Sequence, residues 1–384
     1  WAKAALSIAL ARLEHLAPLI ELYSQPADQP AAIHAVNGSV PGRLEVKILG
    51  QIYREQDLGT FGNADLRRAV LMAFCLQAPA LVDGTTQEWL EEIAHHHIVN
   101  DPDAGCFSSA ELLFRRLGND STKIARRERR AKSDENGILG NVMIDASGLA
   151  FSILPRAEDL DERMAVCTTE LTYEEMLDFL GQRPELVARY GMPKIPESKN
   201  PAVNAGPRRP FQHLRNRNDL VLVYEYCNWL SENQGIEPSK WSYPAELAID
   251  GLYDVMVDAN AAGFRLSTHD EWQVANRSSD SLLDLVSPEG PVISNYAWSM
   301  ENVRISNGGV GNQLCNMAGL FDMFGNMDEI CHSIVPSNQG GAGFLLMGQT
   351  VRAEISRFNS APKIPGSGPW NVNNLDTTHT GFRI

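Results

Sequence analysis

Apolar residues recur at three- and four-residue steps through Ala2 to Tyr23 (AKAALSIALARLEHLAPLIELY) and Ala64 to Leu76 (ADLRRAVLMAFCL), the spacing of a buried helix face. Both stretches are rich in Ala and Leu, which favour helix. Thr85-Thr86-Gln87-Glu88 predicts a capping box, in which a Thr hydroxyl and a Glu carboxylate each accept from an orphan backbone N–H. Ser108-x-x-Glu111 predicts a second, opening the helix AELLFRRL. From about Val142 the pattern changes to short strands and turns with few helices. There Thr172 predicts a cap closed by Glu175, with Leu171 stapled onto Met176 and with Met176, Phe179 and Leu180 as the buried stripe. Val221 to Glu232 (VLVYEYCNWLSE) puts Val223, Tyr226, Cys227 and Leu230 on one helical face, and Gly235 ends that helix. Thr268-x-x-Glu271 starts a shorter helix that sends Trp272 and Ala275 inward.

Two textures predict two folding units, which suits a chain of 384 residues. Residues 1–118 read as an α-helical domain, a bundle or a few HEAT-like hairpins. Residues 119–141 are polar, charged and glycine-bounded, the composition of a linker. Residues 142–384 read as an α+β domain of short strands.

Hydrophobic content of 43% is enough for real cores, and no apolar run reaches membrane-spanning length. A formal charge of −15 opposes non-specific nucleic-acid binding, which needs Lys and Arg to neutralise phosphates. The basic run Arg126-Arg127-Glu128-Arg129-Arg130 reads as a solvated helix face or linker. Six scattered cysteines (75, 106, 167, 227, 315, 331) without a C-x-x-C pair suit buried thiols in a reducing cytoplasm. A start at Trp1 is read as an N-terminus from which upstream residues have been removed.

The second half carries an ordered set of motifs: CTTELTYEEMLDFL (167–180), YEYCNWLSENQGI (224–236), GFRLSTHDEWQVANR (263–277), NYAWSMEN (295–302), NMAGLFDMFGNMDEICHS (316–333), MGQT (347–350) and the closing GFRI. This set resembles the formylglycine-generating-enzyme or sulfatase-modifying-factor family, whose domain is C-type-lectin-like. The resemblance implies that fold for 142–384. Asp322 to Gly325 suits a tight turn, Trp229 and Trp272 are apolar anchors, and Arg265 and Arg383 are expected in buried or half-buried ion pairs. DPDAGCFSSAELLFRRLG (101–118) resembles a segment upstream of this domain in multidomain bacterial proteins that often carry a kinase or another signalling module.

The family oxidase uses two C-terminal cysteine thiolates, soft ligands suited to Cu(I). Residues 349–384 contain no cysteine, which argues against that reaction. Related iron sulfoxide synthases place an H-x-x-x-H-x-E set on a helical bundle. Here His95-His96-His97 are adjacent, about 100° apart around a helix, so they cannot converge on one metal; they read as a polar helix end. The resemblance implies a Ca²⁺ site near the GLFDMFGN block, where Asp322, Asn326 and Glu329 supply hard oxygen donors, although Asp328 and Ile330 replace residues that are usually Trp. No G-x-S-x-G elbow, Walker loop or H-E-x-x-H occurs, and the glycine-rich 307–311 reads as loop. Cys331 beside His332 reads as a core thiol.

These readings predict a non-catalytic recognition protein that binds a protein partner in bacterial signalling or defence. A diversity-generating-retroelement variable protein is one form, with Phe358, Asn359, Trp370, Asn371, Asn373 and Asn374 as surface contacts before the terminal G-F-R. The alternative is a metal-dependent oxidoreductase of the formylglycine-generating or sulfoxide-synthase type.

Overall fold

The computed structural model describes residues 2–25, 33, 43–78, 83–119, 121–154, 163–191, 208–211, 217–246, 261–277, 293–299, 309–333, 343–348, 380–381 and 383–384. Helices come first: α1 (Ala2–Arg12), α2 (Ala17–Tyr23), α3 (Arg43–Glu55), α4 (Ala64–Gln77), α5 (Gly84–Asn100), α6 (Ala104–Arg116) and α7 (Thr122–Lys132). The apolar period over 2–23 is split in two. Pro18 sits in the first turn of α2, where its missing N–H costs nothing, and Glu14 before it turns left-handed at φ 67°.

Two helix starts lie earlier than the boxes predicted, with caps at Asp83 instead of Thr85 and at Asp103 instead of Ser108. Asp83 caps α5 by accepting from Thr86 N at 2.8 Å, and Asp103 caps α6 by accepting from Cys106 N at 2.9 Å. Each Asp is the first good capping residue before its helical run, so it is used ahead of Thr85 and Ser108. Ser108 and Glu111 are therefore inside α6 and fully buried.

The charged stretch 119–141 contains α7 and is not extended. Lys123, Ile124, Arg127 and Glu128 face solvent, but Arg126 and Arg129 turn inward at helical spacing. Arg126 forms a fork on Glu111 at 2.5 and 2.8 Å. Arg129 donates to the carbonyls of Ile98, Asp101 and Leu139 at 3.0, 2.8 and 2.7 Å. Composition could not separate these guanidinium groups from their solvated neighbours.

Strands β1 (Ile138–Leu139), β2 (Val142–Ile144), β3 (Ala150–Leu154) and β4 (Met164–Cys167) form an antiparallel sheet in that order. Helices α8 (Tyr173–Gln182), α9 (Pro184–Tyr190), α10 (Arg217–Asn233) and α11 (His269–Arg277) follow. The capping boxes at Thr172/Glu175 and Thr268/Glu271 both form. Val223, Tyr226, Cys227 and Leu230 are buried on α10, as their spacing predicts. The second sheet has the order β6 (Gly343–Met347), β5 (Asp328–Ser333), β7 (Thr380–Gly381), with β5 antiparallel to β6 and parallel to β7.

One apolar core unites the two halves. Phe74, Leu90, Phe107 and Leu113 of the helices share it with Val142, Ile144, Tyr296, Leu314 and Phe321. At the seam a Cβ on Gly105 of α6 would lie 2.7 Å from the Met317 carbonyl, so only glycine lets that loop approach. Ser108 donates to the Gly319 carbonyl at 2.7 Å across the same seam.

Candidate functional site

The loop from Asn316 to Met327 leads into β5, and its shape is set by side chain to backbone bonds. The Asn316 carboxamide accepts from Ala318 N at 3.0 Å and Leu320 N at 2.9 Å, and donates to the Ala275 carbonyl at 3.2 Å. Asp322 and Asn326 are left-handed, at φ 55° and 60°, a region that Asp and Asn tolerate best among residues with a Cβ. Asp322 Oδ2 accepts from Gly311 N at 2.6 Å, tying this turn to the preceding loop.

Glu329 opens from β5 onto Arg383. Arg383 Nη2 reaches Glu329 Oε1 at 2.7 Å and its Nε spans both carboxylate oxygens at 3.0 and 3.2 Å. Trp272 Nε1 donates to Glu329 Oε2 at 2.7 Å. Arg383 also holds the carbonyls of Cys167 and Phe321 at 3.1 and 2.7 Å. The ion pairs expected of Arg265 and Arg383 are both present, the former on Glu271 at 2.6 and 2.7 Å.

The expected cation ligands are thus divided. Asp322 and Asn326 lie in one loop, each beside Glu170, while Glu329 is occupied by Arg383. Glu170, which the sequence reading missed, stands in its place: Asn326 Nδ2 donates to Glu170 Oε2 at 2.5 Å. Glu170 Oε1, Asp322 Oδ1 and Asn326 Oδ1 are all buried without a hydrogen-bond partner. Burial, with the Asp322 charge beside it, pushes Glu170 well above the usual carboxylate range. Burial also raises Asp322 to about 6, against the opposing pull of the Gly311 N–H and Arg383. Buried oxygens without donors are costly, and a hard cation or a proton relieves that cost. The donor set therefore fits Ca²⁺ chemically, with Glu170 replacing Glu329. Among the described residues no three His, Cys, Asp or Glu side chains converge as a preformed metal cluster.

All six cysteines are buried free thiols. Burial raises every one, with Cys167 and Cys315 pushed to about 11 and Cys75 to about 12. Cys106, Cys227 and Cys331 rise for the same reason. None is an accessible thiolate.

The three histidines of α5 diverge as helical geometry requires. His95 turns to Glu128 at 3.2 Å, and His96 stacks on Phe61 and meets the Gly59 carbonyl at 2.9 Å. His97 is not part of a polar helix end. It is fully buried, 2.7 Å from Asp101 and 2.8 Å from the Tyr53 hydroxyl, and Asp101 also receives Arg67 at 2.8 and 2.9 Å. The contact candidates Phe358, Asn359, Trp370, Asn371, Asn373 and Asn374 lie outside the described residues.

With this geometry in place, the family is secured by a direct match. The sulfatase-modifying factor enzyme 1-like domain matches residues 159–384, more than half of the chain, and the chain belongs to that family. The crystal structure of CarF is similar at 20% identity, covering 62% of this chain and 92% of that one with a TM-score of 0.39. Treponema denticola variable protein 1 is similar at 20% identity, covering 62% and 95% with a TM-score of 0.40. No curated protein matches the chain. Among the described residues no helix is long and apolar enough to cross a membrane.

Proposed function

We propose that this chain is a non-catalytic recognition protein whose family scaffold presents residues 348–379 to a protein partner. The observation that carries this reading is the frame at the two ends of that segment. Glu329 on β5 pairs with Met347 at the end of β6 on one side and with Gly381 of β7 on the other. The same Glu329 is clamped by Arg383, and Cys167 N donates to the terminal Ile384 carbonyl at 2.7 Å. Both ends are thus fixed to one rigid strand, the arrangement by which scaffolds present binding loops. Phe358, Asn359, Trp370, Asn371, Asn373 and Asn374 would then supply an aromatic anchor and adaptable hydrogen bonds. The absence of cysteine from residues 349–384 supports a binding role over thiolate–copper oxidation. A bacterial signalling or defence partner is favoured by the upstream segment 101–118.

Ca²⁺ held by Glu170, Asp322 and Asn326 would brace the turn that feeds β5, and so the frame. Its chemistry there is charge neutralisation and loop fixation.

The test pairs two measurements on the full chain. Immobilised protein should capture a specific partner from its source lysate, and Trp370→Ala should lose that capture without losing the fold. Stoichiometric copper or iron in the purified protein, together with oxygen consumption, would sink the reading in favour of a metal-dependent oxidoreductase.

A further inference from the structure

Between α6 and the loop at 309–312 two arginines from distant segments turn toward one glycine. Arg115 Nη2 donates to the Gly311 carbonyl at 2.6 Å, and Arg208 Nε donates to the neighbouring Val310 carbonyl at 3.0 Å. A Cβ built on Gly311 would lie 3.2 Å from Arg115 Nη2 and 3.6 Å from Arg208 Nη2. The two guanidinium groups therefore share one small space.

Their remaining donors are unspent. Arg115 Nε and Nη1 and Arg208 Nη2 are buried and have no hydrogen-bond partner. The nearby carboxylates do not serve them. Glu111 gives both oxygens to Arg126 and stays 3.6 Å from Arg115 Nη1, beyond hydrogen-bond reach. Asp322 gives Oδ2 to Gly311 N, and its Oδ1 meets no donor. Burial and the Arg208 charge together pull Arg115 down to about 9, against the opposing pull of Glu111. The place is close to water, since Arg208 and Arg115 are half-buried and Asn312 beside them is exposed.

We propose that Arg115 and Arg208 form a binding site for a small phosphate-type oxyanion at the seam between the helical region and the terminal domain. Planar guanidinium donors match the oxygens of such an anion, and the carbonyls of Val310 and Gly311 already fix both forks in place. An oxyanion there would neutralise two like charges and give an acceptor to orphan nitrogens of both arginines. It would also bridge α6 to the loop whose Gly311 N–H holds Asp322. This site is independent of the partner-binding reading above.

The test is calorimetric titration of the full chain with inorganic phosphate against sodium chloride at matched ionic strength. Binding of one phosphate per chain is expected, and Arg208→Gln should weaken it by about tenfold or more with an unchanged circular dichroism spectrum. Arg208→Lys keeps the charge but loses the fork and should fall between the two, which covers a glutamine variant that fails to fold. Sulfate should displace phosphate and acetate should not; displacement by acetate alone would assign the site to a carboxylate and overturn the phosphate class. No binding beyond the chloride control, or equal binding by wild type and Arg208→Lys, would overturn the site.

Discussion

Asp101 in the helical region and Asp322 in the terminal domain are both almost fully buried carboxylates, and their surroundings are opposite. Asp101 takes Arg67 through both oxygens and His97 through one, and the bonds to these partners hold it below the usual carboxylate range despite burial. Asp322 has one backbone donor and two neighbours, Glu170 and Asn326, whose oxygens are equally unsatisfied. The first cluster is closed and holds helices together. The second is also built around a buried Asp, but its companions are a Glu and an Asn and it is left short of donors.

The largest expected effect tests the closed cluster. Asp101→Ala leaves Arg67 and His97 buried without their acceptor and should cost about 3–5 kcal/mol, read by urea denaturation. A loss under about 1 kcal/mol would show that water replaces the carboxylate and that the cluster is not closed.

Acid separates the regions next. His332 in the terminal domain is pulled down to about 3 by burial and by Arg265, against the weaker opposing pull of Glu271, and it meets the Tyr243 hydroxyl at 2.7 Å. A histidine with a depressed folded pKa favours the native state fully above its unfolded value. Stability is then lost as pH falls below about 6.5, by up to about 1.4 kcal/mol per unit. Denaturation at pH 7 and pH 5 should show this slope, and His332→Asn should flatten it. His97 is also depressed, by burial, but Asp101 opposes the shift, so its share of the slope is smaller.

The open cluster should behave with the opposite sign. Asp322 is raised to about 6, so the folded state holds its proton while the unfolded chain releases it. Stability is therefore lost as pH rises from about 4 to about 6 and stays lost above. Asp322→Asn keeps an acceptor for Gly311 N and should stabilise the cation-free protein at pH 7 by about 1–3 kcal/mol. Calcium should raise the melting temperature of wild type and leave the variant unmoved, and the wild-type gain should fade below pH about 6 as protons compete. A calcium shift of equal size in both proteins would place the ion elsewhere.

These contrasts also mark what the sequence could show. The stripes of α8 and α10, the boxes at Thr172 and Thr268, and the pairing of Arg265, though not its partner, are local or follow strong periodicity, so they were legible. The family motifs carried the domain because they are many and ordered. Glu170 was not legible, since its partner Asn326 is far along the chain and CTTELT contains no local reason to single out the Glu. Arg115 and Arg208 were missed for the same reason. Burial of Arg126 and Arg129 depends on Glu111 and on carbonyls of α5, which composition cannot reveal.

The smallest effect is the most direct check on local signals. The box read at Thr85 and Glu88 has the right spacing, yet Asp83 holds the N-cap of α5 through Thr86 N. An Asp at the cap also places a negative charge at the positive end of the helix dipole, an advantage that Thr lacks. Asp83→Ala should therefore cost about 1 kcal/mol, and Thr85→Ala, now inside the first turn, should change stability by less than about 0.5 kcal/mol. Equal losses from the two variants would mean that the helix starts at Thr85 for part of the population. The helical region would then be looser at this end than its closed core around Asp101 suggests.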